Sequence, residues 1–418
     1  MKKILAGILF TVLTFLQLYA QQRCLSFGYL QEQLQADPHL HNILTQIEEY
    51  TRQKSNLYNQ SNTRISSSTE IIKIPVVFHI LYHLPEENIS MQRIQEQLDV
   101  LNRDFRRRNP DTIKTPGVFQ SLAADMEIEF QLAKSDPMGK STNGIVRRYT
   151  PVKQWMSDDK MKFSSEYGDN AWDSKSYLNI WVCNLFDGLA YSAFPGSDPA
   201  KDGMVLNYRV VGNNGGYSQY DKGRTAVHEA GHWLNLRHIW GDVYCGDDNV
   251  DDTPRQGTYT AGCPEGTRLS CSNGPNGDMY MNYMDFTGDA CLNMFTHGQK
   301  QRARTLFEPG GARSSLLSSK GLDEPVIFES VLPDFYPKWL NAKMYPNPAS
   351  NHLTIYFEYD ERWLGKELFV IDLNGKLVMK KIINANILEL DISKLNAGIY
   401  FIRAQKEDEN ILQKFIKL

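Results

Sequence analysis

His228-Glu229-Ala230-Gly231-His232-Trp233-Leu234-Asn235-Leu236-Arg237-His238 is the stretch on which the reading turns. Residues four apart on a helix lie one turn above each other, so His228 and His232 present two imidazoles to one point. Two such rings suit a zinc ion, and Glu229 sits beside it as a general base rather than a ligand. Catalytic zinc takes three protein ligands and keeps one position open, and His238 is the natural third. A straight helix cannot deliver it, because six residues beyond His232 is not a same-face position. The chain has to break and double back. Asn235 is the expected break, since asparagine tolerates the left-handed conformation on which helices often end.

The 418 residues, 41% of them hydrophobic, can bury more than one core. A net charge of −4 with both signs scattered excludes a nucleic-acid partner. Met1-Lys2-Lys3, the apolar run Ile4 to Leu18 and Ala20 read as a signal peptide ending before Gln21. About fifteen apolar residues is short for a membrane span, and no later stretch is long enough for a stable one. The expectation is an exported protein.

From about Tyr29 to Tyr58 runs a polar helical stretch, followed by a Ser/Thr/Asn-rich patch, Ser61 to Thr69. Together they read as a propeptide and a cleavable linker. Cys24 lies near the new N-terminus. A thiolate is a good fourth zinc ligand, so Cys24 can silence the site as a zymogen switch; the other reading pairs it with Cys183 in a disulfide. Strands are expected at Ile71–Tyr82, Met126–Leu132, Ser176–Leu185 and Gly203–Val211, with a helix from Ser90 to Arg107 and another from Thr296 to Phe307. His79 and His83 fall in the first strand and read as structural. His297 and His352 read as surface or cap residues.

Beyond Gly241 the apolar periodicity gives way to Gly, Asp and Asn. Asp247, Asp248, Asp251 and Asp252 offer hard oxygen ligands for Ca²⁺, though not at EF-hand spacing; a solvated acidic loop is the rival reading. Cys245, Cys263, Cys271 and Cys291 fall in the same region and allow three pairings; a second zinc site is disfavoured because no short Cys-x-x-Cys knuckle is present.

HExxH followed by a third histidine, worded HEAGHWLNLRHIWGD, resembles the metzincin zinc peptidases, and the pappalysin (cytophagalysin-like) branch in particular. The departure is Asn235, where most metzincins have glycine. The resemblance implies an α/β metzincin-like catalytic domain, a twisted mixed sheet plus zinc helix over an irregular lower subdomain. It implies disulfides Cys245–Cys271 and Cys263–Cys291, calcium at Asp248, Asp251 and Asp252, and a Met-turn at Asn282-Tyr283-Met284-Asp285 with Met284 beneath the metal. A tyrosine often found two residues after that methionine is Phe286 here. A preference for basic residues at the cleaved bond is also implied. That needs an acidic pocket, with Asp289 as its floor and Thr63–Arg64 as a self-processing site.

Glu308 to Ser319 and the prolines Pro325, Pro333 and Pro337 mark a linker. Short alternating strands follow: Leu353–Tyr359, Glu367–Asp372, Lys376–Ile382, Ile387–Asp391, Gly398–Ala404 and Ile411–Lys417, with Asn374-Gly375 as a hairpin turn. This small all-β sandwich, opening on Tyr345-Pro346-Asn347-Pro348, resembles the C-terminal sorting domain of type IX secretion; an adhesive module is the alternative. The expected organisation is signal peptide 1–20, propeptide 21–68, catalytic domain 69–320, linker 321–342 and sorting domain 343–418. The expected protein is a zinc endopeptidase, secreted or surface-attached after passing the periplasm, acting on protein or peptide substrates and engaging the secretion machinery. Glu229 assists water held on Zn²⁺, and Ca²⁺ is the second ion. The rival is an exported, non-catalytic zinc-stabilised adhesin, against which the retention of Glu229 speaks.

Overall fold

The apolar run around His79 forms the spine of the catalytic sheet in the computed structural model, which describes residues 23–60, 70–326, 343–357, 363–385, 387–406 and 409–418. The expected signal peptide, the Thr63–Arg64 site and most of the linker lie outside these residues. Strand β1 (Ile72–Tyr82) pairs in parallel with β2 (Ile128–Leu132), then β3 (Ile145–Tyr149), and on its other side with β4 (Leu178–Cys183). β6 (Met204–Asn207) continues the parallel order, and β5 (Ala190–Ser192) closes it as an antiparallel edge strand.

Covered on both faces, β1 and β4 read as unbroken apolar runs rather than alternating ones. One face carries Ile74, Val76, Phe78 and Ile80 against Ile94, Leu98 and Leu101 of helix α3 (Met91–Phe105) and Ala226, Ala230 and Trp233 of the histidine helix, Arg224–Trp233. The other carries Leu81, Trp181, Cys183, Tyr191 and Val205. Ser90 caps α3 by accepting from the Arg93 amide at 3.2 Å. His79 is fully buried because both ring nitrogens are used, on Asp169 at 2.6 Å and Asn179 at 3.0 Å.

Differences from expectation have local causes. The propeptide stretch is two helices, α1 (Ser26–Ala36) and α2 (Pro38–Gln60), because Asp37, preceding a proline, is held extended. The strand after Gly203 stops at Asn207, whose side chain accepts from the Arg209 amide and turns the chain. β5 was too short to be read from periodicity, and β3, Ile-Val-Arg-Arg-Tyr with no fully buried residue, carries no apolar alternation.

After the histidine helix the chain runs without regular structure to Phe295, held by disulfides Cys245–Cys271 and Cys263–Cys291. Bridges closing loops of 26 and 28 residues are worth about 3.5 kcal/mol each on the chain-entropy account. The helix His297–Thr305 follows, with Thr296 and Gln299 forming a capping box. The C-terminal region is all β. Its three-stranded sheet comprises Lys343–Tyr345, His352–Tyr356 and Ile387–Asp391; its four-stranded sheet comprises Glu367–Asp372, Leu377–Ile382, Gly398–Lys406 and Glu409–Lys417. Leu353, Ile355, Val370, Leu390, Ile402 and Phe415 form a core between them.

The histidine helix ends at Trp233, and Asn235 takes φ +68°. This left-handed residue turns the chain so that the Leu236 amide bonds back to the Gly231 carbonyl at 2.9 Å. Its carbonyl accepts from Arg302 at 2.7 Å, while its buried side-chain amide nitrogen has no partner. Asn235→Gly is therefore expected to keep or raise stability, and Asn235→Ala to lower it by about 1–2 kcal/mol. Urea unfolding of the two variants measures this, and equal stabilities would remove the conformational explanation.

Candidate active site

The turn at Asn235 carries His238 back over the helix. His232 Nε2 lies 3.1 Å from both His228 Nε2 and His238 Nε2. Each ring is oriented through its other nitrogen, with His228 Nδ1 donating to the Tyr283 carbonyl at 2.7 Å and His232 Nδ1 to the Leu236 carbonyl at 2.8 Å. His238 Nδ1 donates to the Asp242 carboxylate at 2.5 Å. With the protons held on Nδ1, three Nε2 lone pairs converge, an arrangement that repels itself without a cation and is that of imidazoles oriented by an outer shell for metal. Burial, then mutual repulsion, holds His228 and His232 well below the ordinary imidazole range, which favours the neutral rings that a metal would need. The donor set fits zinc.

Cys24 adds its sulfur: its Sγ and the ligand atoms of the three histidines all lie within 4.8 Å of one another. Among the described residues this is the one cluster of three or more such groups. Cys24 and Cys183 are both free and buried, so no disulfide joins them. Burial raises the Cys24 thiol, and the Glu229 charge raises it further. Glu229 is buried beside the cluster, its Oε2 accepting from the Ser26 hydroxyl at 2.7 Å. Burial pushes its carboxyl up to about 7, against the opposing effects of Ser26, Cys24 and Arg23.

Met284 lies beneath, fully buried. A Cβ on Gly231 would come within 2.4 Å of its Sδ, which is why the residue before His232 has no side chain. Phe286 packs 4.9 Å from the His238 ring and 5.6 Å from His228, a wall with no hydroxyl.

The segment before the catalytic domain crosses this cleft. The Leu25 amide bonds to the Ala190 carbonyl at 2.9 Å, and Ser26 Oγ accepts from the Ser192 amide at 2.8 Å, so the segment occupies the free side of edge strand β5. Arg23 reaches Asp289 at 3.5 Å, donates to the carbonyls of Asp285 and Thr287, and stacks 4.7 Å over Tyr220. Asp289 is fully buried and accepts the Lys222 and Arg224 amides at 2.9 and 3.1 Å. Burial raises its carboxyl despite the opposing Arg23 charge. Arg23, Ser26 and Asp242 were missed in the sequence. Arg23 stood beside Cys24 as a signal; nothing marked the other two, whose roles come from long-range contacts.

The expected calcium cluster is not assembled as a trio. Asp252 is spent on the Thr296 hydroxyl and the Gly298 amide, at 2.6 and 2.8 Å, and Asp251 is exposed. Asp248 stands apart: buried, with Oδ1 accepting from Val250 and Thr253 and Oδ2 without a partner.

Residues 162–308 match the peptidase family described as Pregnancy-associated plasma protein-A, and residues 343–418 match the secretion system C-terminal sorting domain. An extracellular metalloprotease of Arthroderma benhamiae is 31% identical over 278 residues, 64% of this chain and 81% of its own. Among solved structures, mature mirolysin of Tannerella forsythia with a cleaved peptide is 49% identical with TM-score 0.58, covering 59% of this chain and 96% of that one. Promirolysin of the same organism, in a mutant form, is 43% identical with TM-score 0.64, over 71% of this chain and 97% of that one. No helix of the described residues is long and apolar enough to cross a membrane. The sorting domain and the extracellular relatives place the protein outside the cell or on its surface. With relatives matched over most of their own length, the chain belongs to the pappalysin-like family of metallopeptidases and is a secreted zinc protease.

Proposed function

We propose that the protein is a zinc endopeptidase of the metzincin type, exported as a zymogen and selective for basic residues beside the cleaved bond. The observation that carries the peptidase reading is the set of three Nε2 atoms turned on one point with Glu229 at its side. His228, His232 and His238 would hold the ion, and Met284 would floor it. Zinc, when bound, lowers the pKa of water to about 7 and polarises a carbonyl. Glu229, beside the open position, is placed to accept a proton from the attacking water and return it to the leaving amine. The substrate main chain would take the edge of β5 now used by Leu25 and Ser26. The adhesin reading loses ground because a structural metal site has no use for a buried carboxylate with a raised pKa beside it. Mirolysin solved with a cleaved peptide supports the same chemistry by analogy.

Arg23 in the Asp289 pocket stands for the basic side chain of a substrate, and Cys24 for the group that would take the open metal position. Domain limits of 1–20, 21–68, 69–320, 321–342 and 343–418 accord with this, with a maturation cut at Thr63–Arg64 that N-terminal sequencing would locate. Calcium is proposed at Asp248 alone of the three aspartates, since its unpartnered buried Oδ2 calls for a cation.

On a peptide library the mature enzyme should cut beside arginine and lysine, and Glu229→Ala should lower kcat/KM about 10²–10⁴-fold; a profile blind to charge would remove Asp289 from the pocket. Cys24→Ala zymogen should hydrolyse peptides before maturation, whereas an inert variant would sink the switch. EGTA should lower the melting temperature of wild type and leave Asp248→Asn unmoved. An equal drop in both would place the ion elsewhere.

A further inference from the structure

We infer that the pocket filled by Tyr29 is a second recognition subsite of the mature peptidase, shaped for the phenol of a substrate tyrosine. The inference rests on the peptidase reading above. The prosegment enters the catalytic domain through two side-chain pockets, on either side of Cys24 in the chain. One takes Arg23. The other is made by Asp159, Met161, Lys162, Trp181 and Tyr191, and takes Tyr29, which is 5% exposed.

The match between Tyr29 and this pocket is chemical as well as steric. Its hydroxyl donates to Asp159 Oδ2 at 2.8 Å, and its ring centroid lies 4.7 Å from that of Tyr191. Lys162 Nζ is 5.1 Å from the Tyr29 ring, 5.3 Å from Trp181 and 4.8 Å from Tyr191, so the ammonium faces three aromatic rings. Lys162 pairs with Asp159 at 2.8 Å and donates to the Lys201 carbonyl at 2.8 Å; its side chain is fully buried. The wall opposite is preformed, because the Tyr191 hydroxyl is fixed on Asp159 Oδ1 at 3.0 Å.

A wholly buried lysine–aspartate pair is uncommon, and its desolvation is offset only where every remaining donor and acceptor is satisfied. Part of the cover here belongs to α1, which departs with the prosegment. Once it has gone, Asp159 Oδ2 loses its phenolic donor and keeps only the Lys201 ammonium at 3.6 Å. What is left is a notch with aromatic walls, a carboxylate and an ammonium at its base. Tyr191 belongs to the strand edge used by the main chain, between Ala190 and Ser192, the two residues bonded to Leu25 and Ser26, and helix α1 carries Tyr29 from there into the pocket. A peptide lying on that edge passes it.

The occupant is selected by exclusion. A tyrosine lays its ring between Tyr191 and Lys162 and returns the hydroxyl to Asp159. Phenylalanine supplies the ring and leaves Asp159 Oδ2 without its hydroxyl donor, with only the longer Lys201 contact, which a site built for a hydroxyl penalises. A basic side chain has to compete with Lys162 for Asp159, and an acidic one with Asp159 for Lys162, so either charge breaks the buried pair.

The test uses the mature enzyme and peptides with a single arginine at the cleaved bond. Tyrosine is walked across five positions on the other side of the bond, each peptide paired with its phenylalanine counterpart. At one position tyrosine should exceed phenylalanine in kcat/KM by about 10-fold or more, and Asp159→Asn should bring that ratio to about one. A wild-type ratio near one at every position, in an enzyme that cleaves the arginine peptides, overturns the subsite and leaves the peptidase reading standing. A preference that survives in Asp159→Asn overturns it as well. Absence of cleavage of every peptide overturns both.

Discussion

Three imidazole lone pairs converging in a dry interior, with His232 Nε2 3.1 Å from each of the other two, repel one another unless a cation lies between them. That constraint organises the molecule. It requires the Nδ1 protons to be fixed elsewhere, which brings in the Tyr283 carbonyl, the Leu236 carbonyl and Asp242. Two of these acceptors come from the two turns that follow the helix, so the irregular lower half is a second jaw of the metal site rather than filler. Its disulfides hold the segment between His238 and Cys291 around a small apolar cluster of Ile239, Trp240, Met279, Met281 and Phe286.

The convergence of the three histidines was legible because helical periodicity and metal chemistry both act locally: His228, Glu229 and His232 follow from spacing, and His238 follows from the need for a third ligand and a residue able to turn. The sheet spine was legible for the same reason, in runs of buried β-branched and aromatic residues. The three-residue edge strand Ala190–Ser192 was not, since a run of that length carries no period. Ser26 and Arg23 were hidden more deeply, because each acts across more than 200 positions of chain, on Glu229 and Asp289 respectively. The aspartates of the loop after Gly241 show the reverse error. Proximity in sequence suggested one cluster, and competing hydrogen bonds on Asp252 dispersed it.

The covering segment is bound by the same means a substrate would use: a main-chain bond to a free strand edge and side chains in pockets. Its affinity is therefore divided among Arg23, Cys24, Ser26 and Tyr29, none of which alone spans the cleft. Such divided binding gives latency by intramolecular concentration, and it fails once the covalent link is cut and the pieces can diffuse apart.

Helix α2 contributes one contact of a different kind. Glu48 forms an ion pair with Arg302, whose guanidinium also holds the Asn235 carbonyl. The turn that delivers His238 is thus tied, through one arginine, to a helix of the proposed prosegment. The proposed maturation would then be linked to the histidine loop: whatever tightens the clasp of α2 stiffens the turn at Asn235, and releasing the helix would uncover a guanidinium that must find water in place of its carboxylate.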